Sequence, residues 1–191
     1  METGIKKNLN TSSVIVTDDR EAYNKVWYVV VVQMNCEKKV AARLKSLGFK
    51  ETYVPTQQEI HKWSDRRRRI DKIVIPMMVF IKLAPNELKT VYCQPYIYKF
   101  LSAPGDKTPA VIPDKQIDTL KYMLGNADSE ITIENITINK NDKVRVIRGS
   151  LKGIEGYACH NSEGKVKIAI IIENLGCACV TLPLTDLELI K

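Results

Sequence analysis

Several things are scarce in this 191-residue chain. It has three Phe, two Trp and two His, and its five Cys are an odd number. Cys36, Cys93 and Cys159 are scattered, and Cys177 and Cys179 stand one residue apart. That spacing provides neither a disulfide framework nor the Cys-x-x-Cys signature of a structural zinc site, so the chain reads as reduced and cytoplasmic. No apolar run approaches the ~18 residues that a membrane span requires. The longest is Val26 to Val32. The amino-terminal stretch holds Lys6 and Lys7 but only Val14-Ile15-Val16 as an apolar core, which argues against a signal peptide and for a disordered tail over 1–25. Catalytic constellations are missing too. His61 and His160 have no Cys or Asp at useful spacing, and no glycine run is followed by Lys-Ser/Thr. The expectation is a protein that is not an enzyme and holds no cofactor or metal.

What is present is positive charge, unevenly placed. Residues 1–25 carry four basic and four acidic side chains, and residues 26–124 carry 17 against 9. Residues 125–139 carry three acids alone, and residues 140–191 carry 8 basic against 6 acidic. A positive field concentrated on 26–124 favours polyanions, nucleic acid first, although lysines kept for solubility give the same arithmetic.

Periodicity then divides the chain. Val26 to Val32 predicts a central strand covered on both faces. Asn35 can cap a helix from Cys36 to Leu47 that Gly48 stops, with Val40, Leu44 and Leu47 on its apolar stripe. Phe49 to Val54 predicts a second strand. A long hairpin follows: Gln58 to Trp63, a tip at Ser64-Asp65, then Arg66 to Ile75. Pro76 to Leu83 predicts a strand, Pro85-Asn86 a short helix to about Cys93, Tyr96 to Leu101 a strand, and Pro113-Asp114 a helix to Leu124. This order matches a split βαβ, ferredoxin-like domain of the α+β class with helices on one face of an antiparallel sheet.

Residues 125–139 read as a linker. Beyond them Val144 and Val146 alternate with charge, Gly149, Gly153 and Gly156 punctuate the next segment, and Val166, Ile168, Ile170 and Ile172 share one strand face. Five short strands over 140–191 predict a small barrel.

Residues 142–156, Asp-Lys-Val-Arg-Val-Ile-Arg-Gly-Ser-Leu-Lys-Gly-Ile-Glu-Gly, resemble a KOW motif. Val144 and Val146 fill the interior, Gly149 and Gly153 bound a turn, and Gly156 permits close approach of strands. Trp27-Tyr28-Val29-Val30, Glu37-Lys38-Lys39, Tyr53-Val54-Pro55 and Pro76-Met77-Met78-Val79-Phe80-Ile81 resemble the amino-terminal (NGN) domain of the NusG transcription factors. The charged hairpin brings the chain nearest to the UpxY-type antiterminators of capsule-polysaccharide operons, with RfaH more distant.

That resemblance implies an NGN domain at 26–124, a linker, and an SH3-like KOW barrel at 140–191. It also implies a bacterial elongation and antitermination factor that grips the clamp of the largest RNA polymerase subunit. The polymerase-binding residues it suggests are Trp27, Ile75, Met78, Phe80, Lys89 and Thr90, with Met78 and Phe80 on one strand face. Where the family commonly has Pro-Gly-Tyr or Pro-Asn-Tyr, this chain has Pro76-Met77-Met78. Glu173-Asn174-Leu175-Gly176-Cys177 replaces a loop that often carries Phe and Arg, so the barrel's protein partner stays unnamed.

Lys39 and Arg43, four apart on the first helix, and Lys62 with Arg66, Arg67, Arg68 and Arg69 on the hairpin are the nucleic-acid candidates, for non-template DNA or nascent RNA. A solvated hairpin, or one facing an acidic protein, fits the same charges. The chain reads as a monomer without membrane attachment. A ribosome- or RNA-associated KOW protein is the alternative from another class.

Overall fold

The computed structural model describes residues 25–62, 67–103, 105–138, 143–162 and 164–190, with the side chains of 60–62, 67–68 and 160–162 excepted. The predicted tail, Trp63 and Arg66 lie outside these residues.

In chain order the first domain comprises β1 (Val26–Val32), α1 (Glu37–Ser46), β2 (Thr52–Tyr53), β3 (Thr56–Lys62), β4 (Arg67–Ile73), β5 (Met78–Leu83), a 3-10 turn at Pro85–Glu87, α2 (Leu88–Tyr92), β6 (Ile97–Phe100), β7 (Val111–Ile112) and α3 (Asp114–Asn126). β1 is central because its run of Val and aromatic side chains buries both faces. It pairs antiparallel with β5 on one side and with β6 and β7 on the other, and β2 extends the sheet beyond β5. β3 and β4 form their own two-stranded ribbon, Thr56 opposite Ile73 and Lys62 opposite Arg67.

Alternation along β1 separates two cores. Tyr28, Val30 and Val32 pack with Val79, Ile81 and Leu83 of β5 beneath Val40, Ala41 and Leu44 of α1 and Val91 of α2. Trp27 and Val29 pack with Phe80 and Ile112 beneath Ile117, Leu120, Met123 and Leu124 of α3. Helices therefore cover both faces of the sheet, which corrects the one-face expectation. Residues at odd and even positions of β1 are equally apolar, so both faces demand cover.

The second domain holds β8 (Thr132–Glu134), β9 (Lys143–Val146), β10 (Glu155–Ser162), β11 (Lys165–Ile172), β12 (Gly176–Pro183) and β13 (Leu187–Leu189). These form one antiparallel sheet in the order β13-β9-β10-β11-β12-β8. Residues 140–191 supply the five strands expected, β9 to β13, and the segment read as a linker adds a sixth, β8. α3 runs on through Gly125 to Asn126, Ile131 is buried, and Cys177, Ala178 and Cys179 of β12 pair with Glu134, Ile133 and Thr132. Polar composition hid this segment, whose isoleucines at 131, 133, 136 and 138 are interleaved with polar residues.

Val144, Val146, Ile168, Ile170, Ile172 and Val180 share one face of that sheet. At Gly156 an added Cβ would lie 2.7 Å from Ile168 Cγ2 and 2.9 Å from the Ala169 carbonyl oxygen, so only glycine permits β10 to approach β11 there. Gly153 adopts φ +94° and its N–H donates to the Val146 carbonyl at 2.8 Å, closing the turn between β9 and β10.

Candidate functional site

The two domains meet along α3 and the hairpin base. Trp27, Phe80, Leu120, Val144, Ile154 and Ile170 belong to one continuous apolar cluster. Polar contacts frame it. Gln57 of β3 works in both directions, its Nε2 donating to the Ser129 carbonyl (2.8 Å) and its Oε1 accepting from the Ile131 N–H (3.0 Å). The Gln116 amide of α3 donates to Glu173 (3.2 Å) and accepts the Glu173 N–H (2.8 Å). Glu173, which opens the loop where the family often carries Phe and Arg, therefore lies against α3. Tyr122 donates to the Ser150 carbonyl at 3.2 Å, and Ser150 donates to Asp128 at 2.8 Å.

α3 is fastened to the sheet at its start. Asp114 accepts from Trp27 Nε1 (3.0 Å) and Lys82 Nζ (2.7 Å), and the Lys82 hydrogen bond, ahead of that from Trp27, holds its carboxyl below the ordinary range. One turn pair later, Lys121 lies over the rings of Trp27 (4.6 Å) and Tyr53 (5.4 Å). Burial pushes the Tyr53 hydroxyl up to about 12.

This geometry sorts the six residues named for polymerase contact. Met78 and Phe80 share a face with Trp27, as period two requires. Phe80 is 0% exposed, Trp27 4% and Ile75 5%, so these three are core in the two-domain chain. The reason is α3 together with the second domain, whose cover could not be read from a strand pattern. Met78 is half-buried, and Lys89 and Thr90 are exposed on α2. Sequence reasoning missed β7 and the part played by Gln57, a single polar residue with no pattern around it.

Of the cationic candidates, Lys39 donates to the Tyr96 hydroxyl at 3.1 Å with its ammonium 4.4 Å from the ring centroid, and Arg43 Nε donates to Gln94 at 2.9 Å. Both remain exposed on α1, facing the connection between α2 and β6. Arg69 is exposed on β4. Lys62, Arg67 and Arg68 are placed by backbone register alone, and Arg66 lies outside the described residues. Lys72, which flanks the arginine run, is engaged by Glu130 (2.5 Å) and Glu59 (3.8 Å).

In the second domain Val144 and Val146 fill the interior as the KOW pattern expects. Cys177 and Cys179 are buried on the opposite face with Ala169, Ile136 and Ile138, and burial pushes the Cys179 thiol up to about 12. No group of three or more His, Cys, Asp or Glu among the described residues is arranged to hold a metal, and no helix among them is long and apolar enough to cross a membrane.

Fold and site together define an α+β protein: a split βαβ sheet with a basic ribbon, joined to a small antiparallel sheet with a glycine turn between β9 and β10. Comparison with known proteins gives that class its family. Residues 25–121 match the family model described as "Transcription termination factor nusG". Transcription termination/antitermination protein NusG of Pseudomonas aeruginosa is 24% identical over 160 residues, covering 78% of this chain and 89% of the relative. The Vibrio vulnificus protein of the same name is 27% identical over 168 residues, covering 83% and 91%. Thermotoga maritima NusG, solved in a study of its domain interaction, superposes with a TM-score of 0.52 at 19% identity, covering 89% of this chain and 99% of that one. The chain belongs to the NusG family of transcription termination and antitermination factors.

Proposed function

We propose that this chain binds elongating RNA polymerase through its first domain and promotes processivity and antitermination, on a specific operon such as one for capsule polysaccharide. The observation that carries the reading is the NusG match over residues 25–121, which spans the whole first domain up to α3. Met78 on β5 and Lys89 and Thr90 on α2 are the surface contacts, toward the clamp coiled coil and the second large subunit respectively. Trp27, Ile75 and Phe80 act beneath Met78 as its support. A ligand that prefers the closed, active polymerase shifts the pause equilibrium by its differential affinity for that state, and no chemistry by the factor is needed.

Lys39, Arg43 and Arg69, with the remaining hairpin cations, face nucleic acid in this reading. The KOW domain recruits a further protein partner or limits access to the first domain.

Binding of the folded, full-length chain to core RNA polymerase tests the reading. Stable association that Met78→Ala weakens is the expected result; a folded chain that binds structured RNA and ignores polymerase overturns it. Transcription in vitro across candidate leader sequences then identifies the target. If the four arginines neutralise single-strand phosphates, replacing Arg66 to Arg69 with Gln flattens the log affinity–log salt slope by roughly 3.

A further inference from the structure

Three residues other than glycine adopt left-handed backbone at one end of the first sheet: Asn35 (φ 62°), Met77 (φ 62°) and Tyr96 (φ 68°). Their convergence is built into the topology. β5 and β6 flank β1, and each enters beside the last residues of β1 through one of these turns. The Met77 carbonyl accepts the Val32 N–H at 2.8 Å, and the Tyr96 carbonyl accepts the Gln33 N–H at 2.8 Å. Asn35 lies two residues further on, just before α1. Left-handed backbone is unfavourable for a residue such as methionine by roughly tenfold, and it persists where the surroundings over-determine it.

The over-determining group at Met77 is a carboxylate. Glu37, in the first turn of α1, is 2% exposed, and its Oε1 accepts the Met77 N–H at 2.7 Å while its Oε2 has no hydrogen-bond partner among the described residues. A buried acid with one idle oxygen is a poor choice for packing alone. It lies in the first turn of α1, where the positive end of the helix dipole favours an acidic side chain. The Met77 peptide is thus gripped on both sides, by Glu37 at its N–H and by Val32 at its carbonyl. Met78, the half-buried residue on the proposed contact surface, follows directly.

We propose that Glu37 is a positioning residue: it locks Met77 in the left-handed turn and so fixes where Met78 stands against RNA polymerase. This rests on the polymerase-binding reading above, but its structural half can be judged without polymerase.

The test uses the full-length protein with Glu37→Ala, Glu37→Gln, Met77→Gly and the Glu37→Ala/Met77→Gly pair. Expected results are an upfield move of the Met77 amide proton and a shift of the Met78 methyl resonance in Glu37→Ala. Affinity for core RNA polymerase falls about tenfold in that variant, and by less in Glu37→Gln, which keeps an acceptor. With glycine at 77 the turn no longer needs holding, so adding Glu37→Ala costs far less affinity. Should Glu37→Ala fail to fold, Glu37→Gln and the paired variant carry the test. An unmoved Met77 amide overturns the proposal. So does an equal loss of affinity in both backgrounds, which marks Glu37 as a general structural acid. Wild-type protein that ignores polymerase overturns the functional reading, and the Met77 amide and Met78 methyl then decide for or against Glu37 alone.

Discussion

The two faces of β1 are built from adjacent residues of one strand and do different work. Tyr28, Val30 and Val32 face α1 and α2, and every partner they have in that cluster comes from the first domain. Trp27 and Val29 face α3, and their cluster continues into Val144, Ile168 and Ile170 of the second sheet. A side-chain period of two gives a strand two independent surfaces. Here one surface closes the domain and the other ties it to its neighbour. The lesson is that Trp27, Phe80 and Ile75 lie in the cluster shared by the two domains, whereas Tyr28, Val30 and Val32 lie in one confined to the first.

Truncations on the two faces separate these roles most strongly. Phe80→Ala should destabilise by about 3–5 kcal/mol and Leu44→Ala by about 2–5 kcal/mol, both sites being fully buried. The difference to look for is in hydrogen exchange: Leu44→Ala loosens amides of the first domain only, whereas Phe80→Ala also loosens β9 and β11. Uniform loosening by both would erase the distinction. A smaller effect is expected from Gln57→Ala, which removes both hydrogen bonds to residues 129–131 and should cost about 1–2 kcal/mol. Small-angle scattering should show the domains moving apart while the chemical shifts on the α1 face stay in place.

Trp27→Phe keeps an aromatic ring in the core but deletes the Nε1 donation to Asp114 and part of the indole's buried volume under Lys121, for an expected loss of about 1–2 kcal/mol in urea unfolding. The least effect belongs to acid. Glu155 is held at about 2 by hydrogen bonds from Arg145 and then Lys143. A carboxyl depressed in the folded state adds stability above its unfolded value, and that contribution fades as pH falls toward the folded value. The denaturation midpoint should therefore slip between about pH 4.5 and 2, and Glu155→Gln should flatten that part of the profile. Because Glu155 and its partners Lys143 and Arg145 are open to water at the surface, the change is small.

Much of the fold was legible in the sequence. The Val26–Val32 run, the helix stopped by Gly48, the hairpin and the alternating isoleucines of β11 each became the element they predicted. Local pattern sufficed because each carries its own periodicity or breaker. β7 and β8, at two and three residues, are too short to hold a period and exist only because β1 and β12 offer them an edge. The candidate site was less legible. Met78 and Phe80 share a face as alternation demands, but alternation does not say whether a face meets water, a helix or another domain.

By itself, then, the sequence determined the elements and the basic character of residues 26–124, since these follow from local periodicity, charge and glycine geometry. Only the tertiary structure decided that helices cover both faces of the first sheet, that Gln57 clasps residues 129–131, and that Glu37 grips the turn at Met77. The last two outcomes join residues 40 to 74 positions apart, and the contacts between such residues leave no periodic trace in either segment.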